Sequence, residues 1–470
     1  MASSMTVKIL EITRIKPSPE SHNSANEFES FLPLTFFDTY WFKFPPVERL
    51  FFYRLNSSSP AYFISVILPK LKQSLSLTLL HYLPLSGNLK WPSNAPKPII
   101  SYTPNDGVSL TVAESDADFD RLSSNGIYEA VELHPLIPQL ITSNDSASII
   151  AVQITLFPDK GFSIGIIAHH TVLDGKTTTM FMKSWAYLCK QGNRENSPLP
   201  PELTPFFDRG VIKDPTGLDL DMLYLNQWLT SNGSESDTTG HKSLKVSSDK
   251  GEASNLVRAT ITITPDDFKK MRERLLSKSS DSSKQLHLST FVLTLAYVTT
   301  CIVKARGGEG DRTVYLGFTA DCRPRLDLPV PENYFGNCNT PIFEVLKARH
   351  FMDFENGFAF TAEKVSNMVK GLTDKGVFAG AKDKLTPVFD VAKEPAGSAQ
   401  IISVAGSPRF GVYETDFGWG RPWKVAVVSI EKNEAISMAE SRDGRKGIEV
   451  GLAFRKHEME RFFSLFLKDF

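Results

Sequence analysis

Between about Gln191 and Asn255 the chain stops reading like the interior of a folded protein. Pro198 to Pro205 holds four prolines, and Thr230 to Asn255 is dominated by Ser, Gly, Asp, Lys and Thr. So few apolar side chains cannot offset the entropy of ordering such a stretch, which therefore reads as a crossover with its second part mobile. It divides the 470 residues into 1–190 and 256–470. With 41% hydrophobic and 11% aromatic residues overall, each piece has the apolar content to close a core of its own.

Both pieces mix strand and helix patterns. In the first, residues 6–13 read as a strand and Asn23 to Glu29 as a polar loop. Pro60 to Leu83 carries Ile64, Ile67, Leu71, Leu75 and Leu79 at helical spacing. Ser148 to Phe157 alternates Ile150, Val152, Ile154 and Leu156, turns at Pro158 to Gly161, and returns as Phe162 to Ala168. Gly175 to Lys190 then reads as a helix with Met180, Phe181, Trp185 and Leu188 inward. His169 and His170 thus sit where a strand gives way to a helix, and loops held by rigid elements commonly carry chemistry.

The second piece opens with strand Leu256 to Ile263, a helix from Thr264-Pro265, and a helix from Ser289 to Lys304. Strand Thr313 to Ala320, a helix near Phe354 to Leu372, and strands Lys424 to Ile430, Ala435 to Glu440 and Ile448 to Phe454 follow. There is no βαβ period and no Gly-rich nucleotide fingerprint. The expected class is therefore α/β, as two halves with mixed sheets rather than a doubly wound fold.

Fifty-two Lys and Arg balance fifty-three Asp and Glu, so nothing draws the chain to nucleic acid or to an anionic membrane. Cys189, Cys301, Cys322 and Cys338 show neither C-x-x-C spacing nor histidines at zinc-site intervals, and read as reduced thiols with no metal. The N-terminus lacks a signal-peptide pattern, and no apolar run approaches the ~20 residues of a membrane span. The expected location is the cytosol.

Two motifs carry the chemistry. His169-His170-Thr171-Val172-Leu173-Asp174-Gly175 contains H-x-x-x-D, which nine histidines would produce by chance in roughly one such chain in two. Asp416-Phe417-Gly418-Trp419-Gly420 is far more specific, arising by chance in roughly one chain in ten thousand. It contains the D-F-G of kinases, but no Gly-rich phosphate loop, V-A-I-K or H-R-D accompanies it. Acyl transfer to an alcohol needs a base near neutral pH, an oxyanion donor and a channel joining the two substrates. His170 is the natural base. Asp174 is open to two readings, a group orienting His170 or the N-cap of the helix at Gly175, and the structural one is favoured. Asp416, Gly418 and Gly420 read as structural, the glycines permitting close backbone approach, with Phe417 and Trp419 filling a core.

Taken with Tyr334-Phe335-Gly336-Asn337-Cys338, these motifs make the chain resemble the plant BAHD acyltransferases, which use coenzyme A thioesters, over essentially its full length. Tyr334 to Cys338 is similar to a motif of the anthocyanin and flavonoid branch. Ala168 to Thr178 is similar to phenolic glucoside malonyltransferases and to anthocyanin 3-glucoside hydroxycinnamoyltransferases. Peptide-synthetase condensation domains share H-H-x-x-x-D-G but lack the C-terminal motif.

The resemblance implies two chloramphenicol-acetyltransferase-like domains with a solvent channel between them, and a monomer. No cofactor is permanently bound; acyl-CoA, malonyl-CoA first, is the co-substrate, and a phenolic glucoside is the acceptor. His170 deprotonates a sugar hydroxyl and the alkoxide attacks the thioester directly. Asp174 turns away to pair with Arg323, and Asp416 stands remote from the chemistry. Where other branches carry a Trp near the acyl carbonyl, this chain has Gly406-Ser407-Pro408, making Ser407 the candidate oxyanion donor. Ser289 and Thr290, at a helix start, suit a phosphate or pantetheine oxygen as well as a plain cap. Arg258, Lys176 or Arg323 is considered for a malonyl carboxylate, Arg323 being the poorest if already paired. The competing readings are a hydroxycinnamoyl donor, a hydrolase using Ser407 or a cysteine, and a catalytically dead binding member.

Overall fold

The computed structural model describes residues 6–17, 30–55, 59–192, 198–231, 242–246, 255–278, 286–353, 356–395, 397–432 and 434–469. A six-stranded sheet runs in the order Val7–Ile15, Val108–Ser115, Ile150–Phe157, Gly161–Ala168, Val47–Arg54, Lys424–Val427. A seven-stranded sheet runs Asn339–Lys347, Thr313–Asp321, Ala399–Ala405, Ala435–Glu440, Ile448–Arg455, Leu256–Ile263, Tyr128–Glu129. A smaller four-stranded sheet lies beside them in the first half. Both large sheets are mixed: Val108–Ser115 runs parallel to Ile150–Phe157, and Ala399–Ala405 parallel to both its neighbours.

Each large sheet borrows one strand from the other half of the chain. Lys424–Val427 pairs with Val47–Arg54, Lys424 opposite Phe52, and Tyr128–Glu129 pairs with Leu256–Ile263. The three C-terminal strands read from the sequence are thus split between sheets, the first of them turning into a 3-10 segment after Val427. Periodicity within a strand says nothing about which sheet edge will accept it.

The hairpin that delivers the histidines is buried on both faces, every residue of Ile150–Phe157 and Gly161–Ala168 being buried. On one face Ile150, Val152 and Ile154, with Ile164 and Ile166, join the same buried cluster as Leu71, Leu75, Phe181 and Trp185 of the helices Leu68–His81 and Gly175–Lys190, which Trp185 ties together by donating Nε1–H to the Leu71 carbonyl at 3.1 Å. On the other face the Leu136 carbonyl lies 2.3 Å from where a Cβ on Gly165 would stand, and Phe157 of the hairpin joins a cluster with Leu50, Phe52, Phe119 and Leu136. At about 1.5–3 kcal/mol for each large apolar side chain buried, the hairpin is fixed tightly enough to hold a loop at its end. The helical stretch Pro60–His81 is long and apolar enough to cross a bilayer, contrary to the sequence reading, but half of its apolar stretch is buried in the protein.

The crossover is more structured than its composition implies. Leu220–Ser231 is a helix whose Trp228 donates to the Tyr40 carbonyl at 2.9 Å and whose Tyr224 donates to the Ala381 carbonyl at 2.7 Å, so it grips both halves. Leu220, Tyr224, Leu225 and Trp228 carry helical spacing that an average over the whole segment conceals. Of the stretch expected to be mobile, residues 232–241 and 247–254 lie outside the described residues, as do Asn23 to Glu29. Residues 242–246 dock on the first half, with Leu244 buried and Lys43 donating to the carbonyls of Ser243 and Lys245 at 2.6 and 2.7 Å.

Candidate active site

Strand Gly161–Ala168 extends one bond further, His169 N–H donating to the Ile149 carbonyl at 2.8 Å, before Val172 N–H closes a turn on the His169 carbonyl at 2.9 Å. That turn points the two histidines into different surroundings. His169 is 2% exposed with both ring nitrogens enclosed and unpartnered, and burial drives its pKa down to about 4. It is a core residue. His170 is half-buried, and the indole of Trp41 lies flat against it, ring centres 4.1 Å apart and planes 5° from parallel. Phe44 meets the same imidazole edge-on at 6.1 Å.

Burial lowers the His170 pKa to about 4, with the field of Asp174 opposing. The ring is therefore neutral at pH 7. Its Nδ1 is enclosed without a partner, which leaves Nε2 as the nitrogen that a hydroxyl can approach.

Asp174 does not touch His170 among the hydrogen bonds it makes. It caps the helix Gly175–Lys190, accepting from Thr177 N–H at 2.7 Å, and its Oδ2 accepts from Arg323 Nη2 at 2.9 Å and from Cys338 N–H at 3.3 Å. Arg323, 1% exposed, also donates to Asp321 at 3.0 Å and to the carbonyls of Tyr334 and Gly336 at 3.2 and 3.1 Å. The carboxylate thus locks the loop to the second half of the chain. It needs no chemical role to be indispensable, because breaking a buried ion pair on one side costs about 3–5 kcal/mol.

Tyr334 to Cys338, quoted from the sequence as a marker without a role, closes the site from the far side. Asn337 donates Nδ2–H to the His170 carbonyl at 3.0 Å and to Asp38 Oδ1 at 3.0 Å. Tyr334 accepts from Arg209 at 2.6 Å, and Arg209 stands 3.5 Å from Asp38. Gly336 has φ 127°, and a Cβ there would lie 2.2 Å from Arg209 Nη1, so only glycine fits. Trp41 donates to Asn339 Oδ1 at 2.9 Å. Sequence reading missed Asp38, Trp41 and Arg209; nothing local distinguishes them, and only Tyr334 and Asn337 fell inside a quoted motif.

The other candidates are spread more widely. Asp416 accepts from the amides of Gly418 and Gly420, both at 2.9 Å, and from Lys190 at 2.6 Å. Burial alone would raise its pKa, but these donors hold it below the usual carboxylate range. Lys190 ends the sixteen-residue helix that Asp174 begins, which puts Asp416 about 24 Å along from Asp174 at ~1.5 Å per residue. Phe417 is buried on Tyr53 and Trp185, while Trp419 is only half-buried. Contrary to expectation, no close backbone approach requires the glycines: a Cβ on Gly420 would meet nothing within 4 Å and one on Gly418 only Lys190 Cα at 3.8 Å. What requires glycine is φ of 106° and 100°.

Ser407 Oγ accepts from Arg409 N–H at 3.2 Å within its own loop, and Phe410 of that loop abuts Gly175. Ser289 caps the helix Thr290–Arg306, accepting from Val292 N–H at 3.3 Å, and Thr290 is exposed. All three cations considered for a donor carboxylate are engaged, Arg323 with Asp174 as described. Arg258 is buried against Glu431 at 3.2 Å and the carbonyls of Val427 and Val428. Lys176 pairs with Asp321 at 3.1 Å and with Glu332.

A model of the Transferase family matches residues 5–467. The chain belongs to the BAHD transferase family. It is 47% identical to phenolic glucoside malonyltransferase 1 of Arabidopsis thaliana over 98% of this chain and 97% of that one. It is 45% identical to the malonyl-CoA:anthocyanidin 5-O-glucoside-6''-O-malonyltransferase of the same plant, over 98% and 97%, and 43% identical to its agmatine coumaroyltransferase, over 99% of each. The fold is similar to that of vinorine synthase, with a TM-score of 0.68 at 20% identity and 98% of each chain covered. Membership in the BAHD family makes this an acyl-CoA-dependent O-acyltransferase of two α/β domains.

Proposed function

We propose that the chain transfers a malonyl group from malonyl-CoA to a sugar hydroxyl, the glucose 6-hydroxyl, of a phenolic or flavonoid glucoside. The observation that carries the chemistry is the placing of the His170 imidazole, stacked on Trp41 and hung by its carbonyl from Asn337, where burial lowers its pKa. His170 takes the hydroxyl proton through Nε2. The alkoxide attacks the thioester carbonyl in a ternary complex, and collapse of the tetrahedral intermediate expels the CoA thiolate, which recovers the proton from the imidazolium. Asp174 maintains the loop through Arg323 and does not relay charge. Ser289 and Thr290 are proposed to meet the coenzyme A, and the enzyme to act as a monomer. The donor and acceptor rest on the malonyltransferase names of two relatives above 40% identity.

The agmatine coumaroyltransferase at 43% identity keeps a second donor in view, a hydroxycinnamoyl thioester acting on anthocyanin 3-glucosides. Product analysis decides between them: the purified protein receives malonyl-CoA and p-coumaroyl-CoA in competition, with naphthol glucoside and an anthocyanidin 3-glucoside as acceptors. Malonyl ester formation that disappears in His170→Ala supports the leading reading. Coumaroyl transfer moves the enzyme to the aromatic branch, and no transfer from either donor rejects both.

A further inference from the structure

A malonyl donor brings a carboxylate two bonds from the reacting carbonyl, and a carboxylate buried at a seam between domains needs a cation or it will not enter. Arg258, Lys176 and Arg323 each spend their donors on the protein's own carboxylates. Arg49 does not. It is 3% exposed on strand Val47–Arg54, opposite Ile166 of the histidine-bearing strand, and so two residue pairs back from Ala168 at the strand's end.

Among the described residues its guanidinium makes one hydrogen bond, Nη1 donating to Thr179 Oγ1 at 2.8 Å, while Nε is enclosed without a partner and Nη2 donates to none of them. Glu440 is the acid whose field reaches it, yet the two form no ion pair. Glu440 Oε1 accepts from Tyr413 N–H at 2.8 Å and its Oε2 is itself enclosed and unpartnered. The position is specific. Arg49 Nη2 lies 3.6 Å from the point where a Cβ on Gly175 would stand, and Phe410 of the Ser407 loop lies 2.9 Å from that same point. Gly175 follows Asp174 directly. A buried guanidinium with unused donors therefore stands at the seam between the halves, beside the first turn of the helix that leaves the His170 loop.

We infer that Arg49 receives the free carboxylate of the malonyl donor, with Thr179 holding the guanidinium in place. The inference rests on the malonyl reading above. A guanidinium suits this task through its fork of N–H groups, which takes a carboxylate bidentately.

The test compares malonyl-CoA with acetyl-CoA, which lacks the carboxylate, using one phenolic glucoside acceptor and the full chain. In Arg49→Met the malonyl-to-acetyl ratio of kcat/KM falls about 100-fold, and Arg49→Lys recovers part of it. A ratio within threefold of the unmodified enzyme overturns the assignment, because equal loss on both donors marks Arg49 as merely structural. Should Arg49→Met not fold, Thr179→Val keeps the charge but frees the guanidinium: KM for malonyl-CoA rises while KM for acetyl-CoA holds, and parallel changes overturn the inference. If the unmodified enzyme transfers coumaroyl and not malonyl groups, the malonyl reading has failed, and that is seen before any variant is made.

Discussion

The Trp41 indole and the His170 imidazole lie face to face, 4.1 Å apart and within 5° of parallel, and the indole is itself anchored to Asn339 in the other half of the chain. The stack fixes the ring plane of the proposed base and helps to exclude water from it. Trp41→Phe keeps a flat apolar face and should cost less than tenfold in kcat, whereas Trp41→Leu should cost about 10–100-fold with smaller changes in either KM. A merely structural role would leave the pH profile unmoved. Here the acid limb of kcat/KM in Trp41→Leu should shift upward, as water reaches His170 and its pKa returns toward 6.5.

In the unmodified enzyme that limb should lie well below the ordinary histidine range, since burial sets the His170 pKa at about 4. Activity should stay flat down to about pH 5.5. An inflection near 6.5 in kcat/KM would show that the free enzyme's base is not the buried imidazole described here.

The same burial makes folding sensitive to acid. The unfolded chain protonates His169 and His170 below their ordinary value of 6.5, while the folded chain does so only near 4. The unfolded state therefore binds more protons in that window, and stability is lost as pH falls from 6.5 toward 4. His134, raised by its contact with Glu431, works in the opposite sense, contributing stability in acid that is lost as pH rises through its folded pKa. Thermal melts between pH 7 and 5 should show a steep loss of Tm, and His169→Gln should flatten it. An unchanged slope in that variant would mean that His169 is protonated in the folded state.

The Asp174–Arg323 pair should behave as a lock rather than as catalytic machinery. Arg323→Met leaves the Asp174 carboxylate buried without its cation and should lower stability by about 3–5 kcal/mol. Asp174→Asn, which keeps the helix cap, should cost less. In a double-mutant cycle the two should fall short of additivity by about 1 kcal/mol or more. Additive losses would dissolve the pair as an energetic unit.

Gly336 is the point at which the far-side clamp is least tolerant. Gly336→Ala forces a Cβ to within 2.2 Å of Arg209 and puts a side chain at φ 127°, so Arg209 must leave Tyr334. The expected result is a loss of more than about 2 kcal/mol by denaturant unfolding. Gly420→Ala, strained in φ but with open space, should cost less. Equal losses would mean that backbone strain alone decides both.

Periodicity along the chain already puts a strand and a helix on either side of His169 to Asp174, and the helix Gly175–Lys190 and strand Leu256–Ile263 stand where that pattern places them. Those patterns repeat every two or 3.6 residues, so they are written locally. The family was legible for a related reason, since Asp416 to Gly420 satisfies its own backbone geometry through amides only two and four residues away. Which groups face His170, and which cations keep unused donors, depended instead on how distant parts of the chain pack. Arg323 meets Asp174 across 149 residues of chain, and Trp41 is held to Asn339 across 298. The same is true of Arg258, which reads as an available cation in the sequence and is consumed by Glu431 and two carbonyls once Lys424–Val427 crosses into the first sheet. Contacts made across such separations leave no period in the sequence, because they are set by which surfaces pack together once the local elements exist.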